Sequence, residues 1–317
     1  MISSDELSYR LKILKKLSSP CMVCPLRCGA DREKNQRGIC GGGRFASVAA
    51  VVTHYGEEPP ISGTRGSGTV FFSGCNLGCL FCQNHQISQN TIQSTEKTPT
   101  ELAYIFIEVQ KSGCHNLNLV TPTHYTYQIV EALLIAVDMG FNLPVVWNSG
   151  GYELSEVITV LEGIVDIYLP DFKFMDEKNA LKFTRGINYP DFAKSSIETM
   201  WKQTGPLRCS KDGIATNGLL CRHLVLPENI SSSFLFLEWF EEYIRNGAGI
   251  SLMSQYNPIE NLPEPVNRGI IPDEYYPVAW ELKSMNPQCA FIQELSSKNS
   301  YNPDFSRSPS EIFSSIK

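Results

Sequence analysis

No apolar run in this chain reaches the ~18 residues that a bilayer-spanning helix needs, so no membrane role is expected. Concentrated basic charge is lacking too. The chain has 27 Lys and Arg against 33 Asp and Glu, a net charge of -6, and no basic block. Bulk nucleic-acid binding needs a basic face and is not expected. The N-terminal stretch mixes Asp5, Glu6, Arg10, Lys12, Lys15 and Lys16 with apolar residues. It therefore lacks the apolar core of a signal peptide, and a cytoplasmic protein is expected. A phosphate-cradling Gly-Lys-Ser/Thr is also missing: the glycine-rich Gly63–Gly68 precedes an apolar strand rather than a helix, and reads as a turn.

What the sequence has in quantity is cysteine. Eleven is many for a reducing compartment, where clustered thiols serve metals or catalysis rather than disulfides. Cys21, Cys24, Cys28 and Cys40 form one group, and Cys75, Cys79 and Cys82 another. The scattered Cys114, Cys209, Cys221 and Cys289 read as small buried apolar residues. With 317 residues, 42% of them hydrophobic, the chain can bury one large domain beside a small appendage. The expected division is 1–67, a helix and a cysteine-rich knot; 68–295, the main domain; and 296–317, a Ser- and Asn-rich tail with little order.

Ser3 and Glu6 have capping-box spacing before Leu7, Leu11, Leu14 and Leu17, which share one helical face. A β-like run covers 45–53. Beyond Gly68, apolar runs at 69–72, 117–120, 143–147, 165–169, 219–226 and 250–253 predict strands. Amphipathic stretches separate them. One opens at Thr98-Pro99-Thr100-Glu101, a further capping box with Pro in the first turn; others cover 127–139, 154–161 and 233–245. Strands alternating with helices predict parallel β/α units around one sheet. The pattern alone fits an open doubly wound sheet or a barrel.

The central group has the spacing C-x3-C-x2-C directly after an apolar strand, with no fourth cysteine nearby. Three thiolates can hold three corners of an iron–sulfur cube and leave its fourth iron open to a ligand. A zinc site would need closure by a fourth ligand such as His85. A redox pair of Cys79 and Cys82 would leave Cys75 unexplained. The N-terminal group, Cys21-x2-Cys24-x3-Cys28-x11-Cys40, looks like a closed four-thiolate knot. Gly29 and Gly41 follow two of its members, letting backbone N–H groups turn toward sulfur. Its spacing fits neither a zinc ribbon nor a ferredoxin run, so zinc and a second iron–sulfur cluster both stand as occupants.

The string Gly74-Cys75-Asn76-Leu77-Gly78-Cys79-Leu80-Phe81-Cys82-Gln83-Asn84 resembles the signature of the radical S-adenosylmethionine (SAM) superfamily. More narrowly it is similar to the activating-enzyme branch and to pyruvate formate-lyase activating-enzyme-like proteins. The resemblance implies a partial (β/α)6 barrel with the cluster loop at the mouth formed by the C-terminal strand ends, where such barrels keep their sites. It implies a 4Fe–4S cluster on Cys75, Cys79 and Cys82, and SAM cleaved reductively to methionine and a 5′-deoxyadenosyl radical that abstracts hydrogen. Phe81 would pack near the adenine, with Gln83 and Asn84 beside the cofactor. Relatives carry a Gly-Gly-Glu-like segment after the second strand; here Thr121, Thr123 and His124 stand in its place. Asn148, Ser149 and Asp171 end later strands and face the mouth, Asp171 with Lys173 as its partner. Of Arg222 and His223, strand alternation lets only one face the site, and His223 reads as structural. Gln255, Tyr256 and Asn257 follow the last strand as further contacts. Glu57 and Glu58 read as solvated.

The expected activity is radical hydrogen abstraction, from a glycyl-radical enzyme being activated or from a peptide or small metabolite. A reductant such as flavodoxin or ferredoxin would supply the electron. The rival from another class is a non-catalytic iron–sulfur electron carrier.

Overall fold

The structure is a computed structural model that describes residues 4–89, 92, 94–296 and 303–313. Ser3, half of the first expected capping box, lies outside them. The chain begins with α1 (Ser4–Ser18). The antiparallel strands β1 (Ala46–His54) and β2 (Ser67–Phe72) follow, joined through the one-turn helix α2 (Pro59–Ser62). After α3 (His85–Ser88) and β3 (Thr95–Lys97), helices and strands alternate: α4 (Pro99–Lys111), β4 (Leu117–Val120), α5 (Thr126–Asp138), β5 (Val145–Ser149), α6 (Ser155–Val160) and β6 (Ile167–Phe172). Two helices, α7 (Glu177–Phe183) and α8 (Tyr189–Thr204), precede β7 (Arg208–Cys209) and β8 (Ala215–Leu224). The chain then runs through α9 (Ser233–Arg245), β9 (Gly249–Met253), α10 (Pro272–Ser284) and β10 (Ala290–Ile292).

Among the described residues the strands form one open sheet in the order β10-β9-β8-β6-β5-β4-β2-β1-β3, with β7 paired to β8. From β2 to β10 every neighbour along this path is parallel. Parallel strands in sequence order, each followed by a helical crossover, make a partial β/α barrel. The six expected strands are β2, β4, β5, β6, β8 and β9. β10 adds a further parallel strand, and β1 and β3 extend the sheet antiparallel on the other side.

Strand alternation gives the barrel two unlike faces. Outward residues such as Leu117, Leu119, Val145, Trp147, Tyr168, Phe172, Leu219 and Cys221 join the helices in the main core. Leu102, Phe106 and Val109 of α4 belong to the same cluster, and the α4 capping box of Thr98 and Glu101 forms as expected. Inward residues change character along each strand. Val146, Ile167, Leu169 and Leu220 pack with Ile61 of α2 into a small apolar plug. Two residues further on, the inward positions become Asn148, Asp171 and Arg222. The barrel is thus apolar at its base and polar above it.

Two expectations change here. The tail segment 303–313 is packed: Phe305 meets Phe71 edge to face at 5.1 Å, and Phe313 lies 4.1 Å from His54. Apolar burial against β2 and Val120 outweighs the polar composition that suggested little order; residues 297–302 and 314–317 lie outside the described ones. Of the scattered cysteines, Cys114 and Cys221 are buried, whereas Cys209 is exposed and Cys289 half-buried. Among the described residues no helix is long and apolar enough to cross a membrane.

Candidate active site

The loop after β2 carries the three central cysteines and is held from both sides. Gly74 has φ 81, and a Cβ there would stand 2.2 Å from the Cys40 carbonyl oxygen. Glycine is required by both conformation and approach. Next to it the Cys75 N–H donates to that same carbonyl at 3.1 Å. On the far side the Leu80 N–H donates to Phe183 O at 2.9 Å, and the Arg185 N–H to Leu77 O at 2.8 Å. Backbone N–H groups also turn toward the sulfurs. Leu77 donates to Cys75 Sγ at 3.3 Å, and Asn84 donates to Cys82 Sγ. The Ser88 hydroxyl adds a further donor to Cys82 at 3.3 Å. Phe81 is buried edge-on between Phe174 and Tyr256, at 6.0 and 5.9 Å.

All three cysteines line a cavity of about 900 Å³ inside the barrel. Its other walls come from the C-terminal strand ends, through Thr121, Asn148, Ser149, Asp171, Lys173, Leu224, Met253 and Gln255. The floor is ionic. Arg222 donates through Nε to Asp171 Oδ1 at 2.8 Å and through Nη1 to Glu57 Oε2 at 3.0 Å, and through Nη2 to Asn148 Oδ1. Asn118 and Asn148 close the ring by donating to Glu57 Oε1 at 3.0 and 3.4 Å. Lys173 Nζ holds the other Asp171 oxygen at 2.7 Å. Burial alone would raise the Asp171 pKa, but Lys173 and Arg222 outweigh it and hold the carboxyl below its usual range. Lys173 also faces the Cys79 and Cys82 sulfurs, and burial's pull on its pKa is overcome by Asp171 and Cys79.

Glu57 and Glu58, read above as solvated, belong to this floor. They sit on the β1–β2 connection, which lies at the N-terminal end of β2 and closes the barrel from beneath. The Glu57 side chain is only 9% exposed, and the Glu58 Oε2 is buried without a hydrogen-bond partner among the described residues. Their positive partner, Arg222, comes from β8, so no local sequence signal announces the pairing. Alternation on β8 does hold: Arg222 points inward, while His223 stacks on Phe236 at 4.2 Å. His223 is satisfied by Phe172 O and Ser233 Oγ at 2.8 and 2.9 Å.

The segment after β4 divides. Thr121 lines the cavity with φ 59, a left-handed conformation that is strained for a β-branched residue. Beyond that turn the side chains of Thr123 and His124 lie elsewhere, contrary to expectation. The Thr123 hydroxyl donates to Glu153 Oε1 at 2.8 Å, and Trp147 Nε1 and Ser149 Oγ donate to the same buried carboxylate at 2.8 and 2.9 Å. His124 is fully buried, 2.9 Å from Ser73 O through Nε2, and packs on Tyr125. Burial pushes its pKa down to about 3, so it is a neutral brace behind the cluster loop. Neither Thr123 nor His124 lines the cavity. Ser149 does line it, but its hydroxyl is committed to Glu153. Gln83 also lines it, with its amide donating to Gln255 O; Asn84 lines the same wall.

The thiol set fits a cube with one open corner. The three sulfurs share one wall near the Lys173 cation, and those of Cys75 and Cys82 receive N–H and O–H donors. Burial raises the pKa of all three thiols, so binding a metal there would displace protons. Among the described residues no three Cys, His, Asp or Glu side chains converge on a single ion.

A family model described as the radical SAM superfamily matches residues 69–203, from β2 through α8. An uncharacterised protein of Methanocaldococcus jannaschii is 30% identical over 265 residues, spanning 81% of this chain and 72% of that one. The chain belongs to the radical SAM superfamily. Membership implies an enzyme with a 4Fe–4S cluster and SAM cleaved to a radical. Among solved structures, this radical SAM chain is similar to methylornithine synthase, with TM-score 0.47 and 17% identity over 69% of this chain and 60% of that one. It is also similar to SuiB of Streptococcus suis, with TM-score 0.44 and 11% identity over 71% and 49%. The chain thus spans about three-fifths and about half of these two structures.

Proposed function

We propose that Cys75, Cys79 and Cys82 hold the 4Fe–4S cluster and that the cavity before them takes SAM together with a small polar substrate or the end of a peptide. The observation that carries this is the placement of the three thiols in one wall of a cavity whose floor is charged. When bound and reduced by one electron from a carrier such as flavodoxin or ferredoxin, the cluster supplies cleavage of SAM to methionine and a 5′-deoxyadenosyl radical. The chain's own residues bind, orient and shield. Phe81 offers an apolar edge for the adenine, with Gln83 and Asn84 beside it. The Thr121 hydroxyl and the loop carbonyls next to it are acceptors for an ammonium group. The apolar base and the 303–313 segment shield the site from dioxygen and reductants, which would otherwise consume a carbon radical in side reactions.

Glu57, Asp171, Lys173 and Arg222 give the floor both signs of charge, and the Glu58 carboxyl lies buried beside Arg222. Such a floor recognises a zwitterionic or multiply hydrogen-bonding group. This supports a small molecule or peptide more than the folded domain of a glycyl-radical enzyme, which the activating-enzyme resemblance implies. The test is fractionation. Reconstituted enzyme, SAM and reductant are mixed with a cell extract divided by ultrafiltration. The low-mass fraction should raise 5′-deoxyadenosine formation several-fold and carry its hydrogen. Stimulation by the protein fraction alone would favour glycyl-radical activation instead.

A further inference from the structure

We propose that Cys21, Cys24, Cys28 and Cys40 hold a second metal centre bound by four thiolates, directly behind the Cys75 loop. Three of the four side chains are buried, Cys28 is half-buried, and none is in a disulfide. The Gly42 N–H donates to Cys40 at 3.4 Å, and the N–H groups of Val23, Leu26 and Ala30, each two residues past its cysteine, lie toward Cys21, Cys24 and Cys28. Leu77 and Asn84 stand in the same relation to Cys75 and Cys82. An N–H aimed at sulfur favours thiolate over thiol, so one local device recurs in both cysteine groups.

Two further observations point to a ligand. The first is Arg32, only 3% exposed. No carboxylate pairs with it among the described residues. It faces the Cys21 and Cys40 sulfurs, with Nη2 3.6 Å from Cys40 Sγ, while its Nε has no hydrogen-bond partner. A buried guanidinium needs a counter-charge. A metal carried by four thiolates stays net negative and supplies it, whereas four neutral thiols do not. The second is space held open between sulfurs. A Cβ on Gly38 would lie 3.1 Å from Cys28 Sγ and 3.5 Å from Cys40 Sγ, and one on Gly42 would lie 3.3 Å from Cys40 Sγ and 3.3 Å from Arg32. Among the described residues the sulfurs do not converge on one ion. The same holds for Cys75, Cys79 and Cys82. Both a zinc ion, which would draw the sulfurs inward, and an iron–sulfur cluster share this tetrathiolate chemistry.

The decisive sample is the full chain with Cys75, Cys79 and Cys82 all changed to Ala, purified without oxygen and desalted. It should retain about one zinc, or iron with matching sulfide at about four per chain for a cube. Zinc alone would make the centre structural, and iron with sulfide would make it a second cluster one hydrogen bond from the first. Adding Cys28→Ser should lower the retained metal at least tenfold. A folded triple variant that keeps neither metal overturns the proposal, as does metal that Cys28→Ser leaves unchanged. If the triple variant precipitates, the parent chain decides: iron near four per chain with no zinc overturns the second centre, and about eight iron, or four iron with one zinc, supports it.

Discussion

Cys79→Ala is expected to abolish the site-differentiated cluster and to reduce 5′-deoxyadenosine formation to the uncatalysed background, with the fold intact. Two thiolates cannot hold a cube against loss of iron, so the loss is complete rather than graded. The loop should survive the change. Its anchors are backbone bonds from Leu80 to Phe183, from Arg185 to Leu77 and from Cys75 to Cys40, none of which uses the Cys79 side chain. Circular dichroism like the parent's, together with no iron signal at the trio and no SAM cleavage, is the predicted result. Parent-level cleavage in this variant would remove Cys79 from the ligand set.

Arg222→Met should be the most destabilising single change at the site. Its guanidinium bonds Asp171, Glu57 and Asn148 at once, and its side chain is 13% exposed. Removing one partner of a buried ionic group leaves the others uncompensated and costs about 3–5 kcal/mol. Here Asp171 keeps Lys173, so the loss falls mainly on Glu57 and the neighbouring Glu58. Urea unfolding of Arg222→Met, with Glu57→Gln/Arg222→Met beside it, measures this. The double variant should recover part of the loss, because one orphaned carboxylate has gone. Arg222→Lys should rescue little, since an ammonium cannot span three acceptors as the planar fork does. A single variant within about 1 kcal/mol of the parent would show the network to be solvated.

The barrel was legible because its strands are continuous apolar runs between helical stripes, and the central motif because three thiols in eight residues have few uses. What sequence missed shares a cause: the information is non-local. β10 is three residues long, and α10 carries Pro277 within it, so neither shows a clean period. Glu57 and Glu58 carry no pattern of their own; only Arg222, 165 residues away, makes a site of them. Thr121 sits where expected, but beyond its positive-φ turn Thr123 and His124 lie outside the cavity, and no residue pattern announced that turn. The contact between the two cysteine groups was equally hidden. It rests on one N–H from Cys75 to Cys40 and on the missing Cβ of Gly74.

The central claim is that the three thiols in the cavity wall arm this chain to cleave SAM. Its most direct test is anaerobic: the reconstituted parent chain is reduced, mixed with SAM, and assayed for 5′-deoxyadenosine and methionine alongside the EPR spectrum of the reduced cluster. The claim predicts an EPR signal that changes on adding SAM and both products in equal amounts. A reduced cluster with an unchanged spectrum and intact SAM would contradict it and leave an electron carrier.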